Sequence, residues 1–274
     1  MENKISLIVP VYNEEKRISR FLDGISWCDD VIIINKSSTD KTLAYCKRKN
    51  VVVYDVPYTD SDGMLFEKFI KYAKHDWVGI FVVSDFIDYS LVIKANELIL
   101  NKEVTANTIY THYKNYILGI SEKYSPWYNK KRRFIFKKNT VKFSDIVHCE
   151  LQCDEKNAYY IPEEYGNIYH LTHQSVESQF ERHIRYTKRE AENLYNNKVS
   201  LNKLKYGILK KIVKYMLKNI FIEKSINAFA LSIAYLMYYM DIFLFTWEKT
   251  QNIEETYEKI KTEVINELEK KLLI

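Results

Sequence analysis

Apolar residues follow two regimes, short β-branched runs between amphipathic stretches in the first 170 residues and long helical periodicities afterwards. Ile5 to Val9 is too short for a helix and predicts a buried parallel strand. Pro10 and Asn13 break it, and Glu14-Glu15-Lys16-Arg17 predicts a helix opening with carboxylates at its positive end. Val31 to Ile34 repeats the run, and Ser38, Thr39 and Asp40 offer cap oxygens to the next helix. Val51 to Tyr54 reads as a third strand, Leu65 to Ala73 as a helix, and Trp77 to Val83 as an apolar, central fourth strand. A helix follows over Leu91 to Leu100, and then Thr105 to Leu118 and Arg132 to Phe136 alternate like strands of an extended sheet. The fold class predicted is α/β, a mixed sheet flanked by helices over residues 1–170, with a helical region over 171–274. Two strands whose carboxyl ends open into polar turns make a crevice of nucleotide size.

In the second region Val176, Phe180, Ile184, Ala191 and Leu194 fall at helical spacing. Residues 198–224 hold eight lysines and one acid, Glu223, flanking apolar rows through Ile208 and Leu209. Such a basic amphipathic helix suits an anionic membrane surface, and equally a helix packed on its own domain with solvated lysines. Ala228 to Trp247 is twenty residues with one charge, Asp241. Its length permits a span, but Asp241 and the polar-tipped Ser, Tyr, Thr and Trp argue for a buried or interfacial helix. Ile253 to Leu272 reads as an amphipathic helix that packs back or forms a homo-oligomer.

Charge and composition refine this. The 274 residues carry 41 Lys plus Arg against 36 Asp plus Glu, an excess of +5 too small to predict nucleic acid as a partner. With 23 Tyr and 13 Phe there are more aromatics than a core needs, which places some on a binding surface. Cys28, Cys46, Cys149 and Cys153 form no paired framework, and no secretory signal precedes the first strand, so a reduced cytoplasmic setting is expected. His148, Cys149 and Cys153 fit no common zinc spacing.

Two strand ends carry specific residues: Ile-Val-Pro-Val-Tyr-Asn-Glu-Glu, and about twenty residues later Val-Ile-Ile-Ile-Asn-Lys-Ser-Ser-Thr-Asp-Lys-Thr. Together they resemble the opening of glycosyltransferase family 2. Trp77-Val78, Val147-His148, and His170 followed by Tyr186-Thr187-Lys188 and Ala191 resemble the branch acting on lipopolysaccharide or lipooligosaccharide inner core. The resemblance runs to about Glu248. It implies a GT-A fold and an inverting transfer of a hexose from a nucleotide sugar, commonly UDP-linked, to a lipid-linked saccharide acceptor. It also implies a cytoplasmic enzyme peripheral to the inner face of the membrane.

By the same resemblance Pro10, Tyr12, Asn13, Glu14 and Ser37 line the donor site. Asn35 stands where the family carries an aspartate that accepts from the donor base; an amide still accepts through its oxygen, or else caps the turn. The family's Asp-x-Asp pair, which holds Mg or Mn against the diphosphate, falls on Val82 and Ser84. Asp85 is next, and a one-residue bulge would bring it to the metal position with Asp88 or His148. Asp60-Ser61-Asp62 spells the motif but reads as a solvated turn. His148 matches a family histidine, Cys149 replaces its glutamate, and strand alternation puts Glu150 on the face of His148 as catalytic base. A structural histidine beside an edge carboxylate reads the same, with Asp145 in reserve. In Lys130-Lys131-Arg132-Arg133 the lysines read as solvated and Arg132 or Arg133 as an anion contact. His170 faces the active site by resemblance, or is a satisfied structural residue. Three replaced acids also admit a catalytically degenerate, glycolipid- or partner-binding scaffold.

Overall fold

The structure, a computed structural model, describes residues 2–48, 51–59, 62–128, 130–144, 151–153 and 157–272. The chain divides into two compact units, Met1–Lys123 with Trp127–Gln174, and Tyr124–Pro126 with Ser175–Ile274.

The first unit is built on a nine-stranded mixed sheet. Strands β1 (Ile5–Val11), β2 (Val31–Asn35), β3 (Val52–Asp55) and β4 (Trp77–Ile80) run parallel in the order β3-β2-β1-β4. Beyond β4 lie β7 (Lys130–Lys137), β6 (Thr108–Ile117), β11 (Asn167–Thr172) and β5 (Asp85–Ile87), while β10 (Ala158–Tyr160) pairs with the start of β6. A separate hairpin joins β8 (Val141–Phe143) to β9 (Leu151–Cys153).

All seven residues of β1 are buried, because both faces are covered. Ile5, Leu7 and Val9 pack with Ile18, Phe21 and Leu22 of α1 (Ile18–Gly24) and with Leu91, Ala95 and Leu98 of α4 (Tyr89–Leu100). Ile8 on the opposite face joins Ile32, Ile34 and Phe66 and Phe69 of α3 (Gly63–Phe69). Coverage on both sides is why the central strands read as continuous apolar runs. Pro10 is tolerated because the β1–β4 ladder ends at Ile8 and Ile80, so its missing N–H falls beyond that pairing.

Three sequence expectations change. Glu14 to Arg17 form a turn ahead of α1, held by a Glu14–Arg17 ion pair at 2.6 Å, so the carboxylates precede the helix. The fourth strand stops at Ile80; Phe81 to Ser84 turn, and Asp85 begins a new strand. The strand expected from Arg132 begins two residues earlier, so all four cations 130–133 lie within β7. The cap expected at Asp40 is present: its Oδ1 accepts from Thr42 N–H at 2.9 Å, at the start of α2 (Thr42–Arg48).

The second unit is helical. Ser175 and Ser178 form a reciprocal capping box at the start of α5 (Val176–Asn196). Helix α6 (Leu201–Lys211) continues with wider, π-helical bonding over Ile212–Leu217 and Asn219–Glu223, and then come α7 (Ile226–Gln251) and α8 (Ile253–Leu272). His183 of α5 meets the edge of Tyr238 of α7, whose hydroxyl donates to Glu190 at 2.8 Å. Among the described residues α7 alone is long and apolar enough to cross a membrane, by length and composition.

Candidate active site

The carboxyl ends of β1 and β2 are laced together. Asn13 (φ 53°) donates its N–H to Ser38 Oγ at 3.0 Å, and its side-chain oxygen accepts from Thr39 N–H at 2.8 Å. Glu14 N–H donates to Thr42 Oγ1 at 2.7 Å and Glu15 N–H to Asp40 Oδ2 at 3.0 Å. Burial opposes the charge on Asp40, but hydrogen bonds from Thr42 and Glu15 outweigh it and hold its carboxyl below the ordinary value. Ser37 adopts φ 55°, a left-handed conformation costly for a non-glycine residue, and its hydroxyl donates to Val56 C=O at 2.8 Å. Much of the two-loop motif thus serves as frame, with Tyr12 exposed at the rim.

Asn35 is 3% exposed and its amide is used on both sides. The nitrogen donates to Asp55 Oδ1 at 2.6 Å and the oxygen accepts from Ser38 N–H at 3.3 Å. The exposed carboxylate at this level of the sheet is therefore Asp55, one strand over. Tyr58 follows it and lies 4.4 Å from the ring of Tyr12, with the Lys36 ammonium 5.7 Å from its centroid. Lys36 also pairs with Asp62 at 2.9 Å. Asp55 and Tyr58 were not singled out from sequence, although the rule that ligands sit beyond strand carboxyl ends applies to β3 as it does to β1 and β2.

The second focus follows β4. Asp85 N–H donates to Val82 C=O at 2.8 Å and Val82 N–H returns to Asp85 Oδ2 at 3.0 Å, so this tight turn aims the carboxylate inward. Asp85 is 2% exposed. Its Oδ1 accepts from Tyr113 Oη–H at 2.6 Å and from His170 Nδ1–H at 2.7 Å, and Arg132 donates to Tyr113 Oη from above its ring. Sheet register makes this convergence: Asp85 faces His170 across β5–β11, His170 faces Asn115 on β6, and Tyr113 shares that face. Burial works against ionisation of Asp85, yet the His170 hydrogen bond and the charges of His170 and Arg132 prevail and hold its carboxyl below the ordinary value. Burial and the neighbouring Asp85 charge push the Tyr113 hydroxyl up.

Position His170 depends on a corner. Asp88 Oδ2 accepts from Asn167 N–H at 2.7 Å, and Asp88 N–H donates to Asn167 C=O at 3.0 Å. Gly166 approaches so closely, at φ 120°, that a Cβ there would lie 2.8 Å from Asp88 Cβ. Asp88 thus supports β11. Arg132 points to this cluster; Arg133, on the opposite face of β7, donates to Leu151 C=O at 3.4 Å. Asp145, His148, Cys149 and Glu150 lie outside the described residues, as do Asp60 and Ser61.

Among the described residues no three His, Cys, Asp or Glu side chains group as a metal site. Asp85 is sealed and both its oxygens already accept hydrogen bonds, from Val82, Tyr113 and His170, so the donor left to a divalent ion carried on a diphosphate is His170 Nε2, with phosphate oxygens and water as the other ligands.

Among solved structures, S. aureus TarS 1-349 in complex with UDP-GlcNAc is 15% identical, over 91% of this chain and 92% of that one, with a TM-score of 0.48. Glucosyl-3-phosphoglycerate synthase from Mycobacterium tuberculosis, with Mn2+, UDP and glucosyl-3-phosphoglycerate, is 15% identical over 62% of this chain and 73% of that one, with a TM-score of 0.45. The model of the family described as Glycosyl transferase family 2 matches residues 6–143, half of the chain. That stretch runs from β1 through β8 and holds the two laced loops, Asp85, Tyr113 and Arg132. The chain belongs to glycosyl transferase family 2.

Proposed function

We propose that this glycosyltransferase moves a hexose, with inversion, from a UDP-sugar to a lipid-linked surface glycan of the lipooligosaccharide-core kind. The observation that carries the donor reading is the Asp85–His170–Tyr113–Arg132 cluster just beyond the carboxyl end of β4, buried at Asp85 and Tyr113 and open at Arg132. The base lies against Tyr12 and Tyr58, and its N–H donates to Asp55, the carboxylate that takes over from the family residue replaced at Asn35. Asp85 holds the His170 ring through Nδ1 and so presents Nε2 outward, while Tyr113 steers the Arg132 guanidinium. His170 and Arg132 thereby offer donors and positive charge to the departing diphosphate. A divalent ion carried on the diphosphate would neutralise it further, with His170 Nε2 as its ligand in place of that hydrogen bond. Glu150, with His148, takes the acceptor hydroxyl proton in this reading, and the acceptor class follows from the branch resemblance alone.

The test is calorimetry of the full chain with UDP, with and without Mn2+ and after EDTA, followed by transfer assays on a panel of nucleotide sugars. UDP binding weakened by EDTA, with turnover of at least one donor, is expected. Absence of UDP binding and of turnover under every condition would leave the scaffold reading instead.

A further inference from the structure

Residues 201–222 contain no acidic residue, yet every fourth position pairs an apolar side chain with a lysine: Leu209-Lys210, Val213-Lys214 and Leu217-Lys218. All six are exposed, Val213 at 61%. The row continues to Phe221, exposed at 72%.

In a regular α-helix a four-residue row drifts, because four residues overshoot one turn of 3.6 by about 40°. Here α6 gives way at Ile212 to π-helical bonding, which turns less per residue and brings the row back into line. Asn219, 2% exposed, holds this wide segment to α7: its Nδ2 donates to Tyr215 C=O at 2.7 Å and to Ser232 Oγ at 3.2 Å. The outer face is therefore fixed, with an apolar ridge and a lysine ridge side by side. At its end Lys224 takes φ 52°, and the turn sets Phe221 and Ile226, 75% exposed, on either side of that lysine.

A soluble partner helix of mixed charge would leave the lysine ridge unmatched, and a plain apolar groove would desolvate it. We propose that this face docks the protein on an anionic lipid bilayer, with the 201–223 helix in the plane of the headgroups. Leu209, Val213, Leu217 and Phe221 enter the acyl boundary, and the lysines pair with lipid phosphates. Helix α8 is exposed too, but its apolar row is interleaved with both Glu and Lys and shows no such bias. The proposal stands on this surface alone and does not require the sugar-transfer reading.

Its test is co-sedimentation of the full chain with vesicles of phosphatidylcholine, with or without about a third phosphatidylglycerol. Binding is expected only to the anionic vesicles and is expected to fall in roughly 1 M salt, where screening contracts to about 3 Å. The triple variant Lys210→Gln, Lys214→Gln, Lys218→Gln should bind about 100-fold more weakly, at about fivefold per basic residue. Phe221→Asp should abolish binding with circular dichroism and melting unchanged. Equal binding to neutral vesicles, or binding unaffected by both variants, overturns the proposal. So does salt-resistant attachment of the triple variant, which would mean a span. A dimer in sedimentation velocity that Val213→Asp dissociates overturns it as well, since a second copy would then own the face.

Discussion

Tyr113→Phe isolates one bond of the buried cluster. The phenyl ring keeps its stacking with His170, 5.4 Å between centroids, and its place beneath Arg132 at 4.4 Å. What disappears is the hydroxyl that donates to Asp85 at 2.6 Å and accepts from Arg132. Arg132 is exposed and regains water, so its side of the loss is small. Asp85 is sealed and cannot be rehydrated; a hydrogen bond to a buried charge is worth about 1.5–3 kcal/mol. Thermal melting followed by circular dichroism should therefore fall by roughly 3–12 °C at neutral pH. The loss has a pH signature. The folded pKa of Asp85 is depressed, so its stabilising contribution is present above the unfolded value near 3.8 and is lost as pH falls through the folded value. Removing Tyr113's donor lessens that depression, so the variant should lose stability at higher pH than the wild type does. Well below both values Asp85 is protonated in either state and the gap should narrow. A melting difference of zero at neutral pH, or one that stays constant down to about pH 2, would refute an ionised, Tyr113-supported Asp85.

Two further outcomes follow from the neighbouring geometry. Asp55→Asn should weaken UDP binding about tenfold or more by calorimetry, the scale of one charge-assisted hydrogen bond, and the exchange Asn35→Asp, Asp55→Asn should recover it; unchanged affinity in the single variant would remove Asp55 from the donor site. Gly166→Ala should destabilise the protein by about 1–3 kcal/mol in urea titration, through its φ of 120° and the 2.8 Å approach to Asp88, and should lower donor turnover by displacing His170; wild-type stability would disprove the corner's role.

Much was legible in the chain as written. The β-branched runs of β1 and β2 and the two loop motifs announced parallel strands, the crevice and the family, because apolar continuity follows directly from burial on both faces. The helical spacing of 171–274 likewise announced the second unit's elements. Boundaries near Arg17 and Ile80 were not readable, since they depend on an ion pair and on a side chain closing its own turn. Asp85, Tyr113, Arg132 and His170 are separated by up to 85 residues, and no local spacing links them. Strand order and register bring them to one face, and that pairing is set by long-range packing. Likewise Asn35 reads from sequence as a base contact or a turn cap, while the structure shows its amide held between Asp55 and Ser38, a pairing with the next strand that no local spacing announces. Local sequence carried the elements and the family, because periodicity and turn chemistry act between near neighbours. The arrangement of charge at the site came from the assembled sheet, where distant residues share one buried environment.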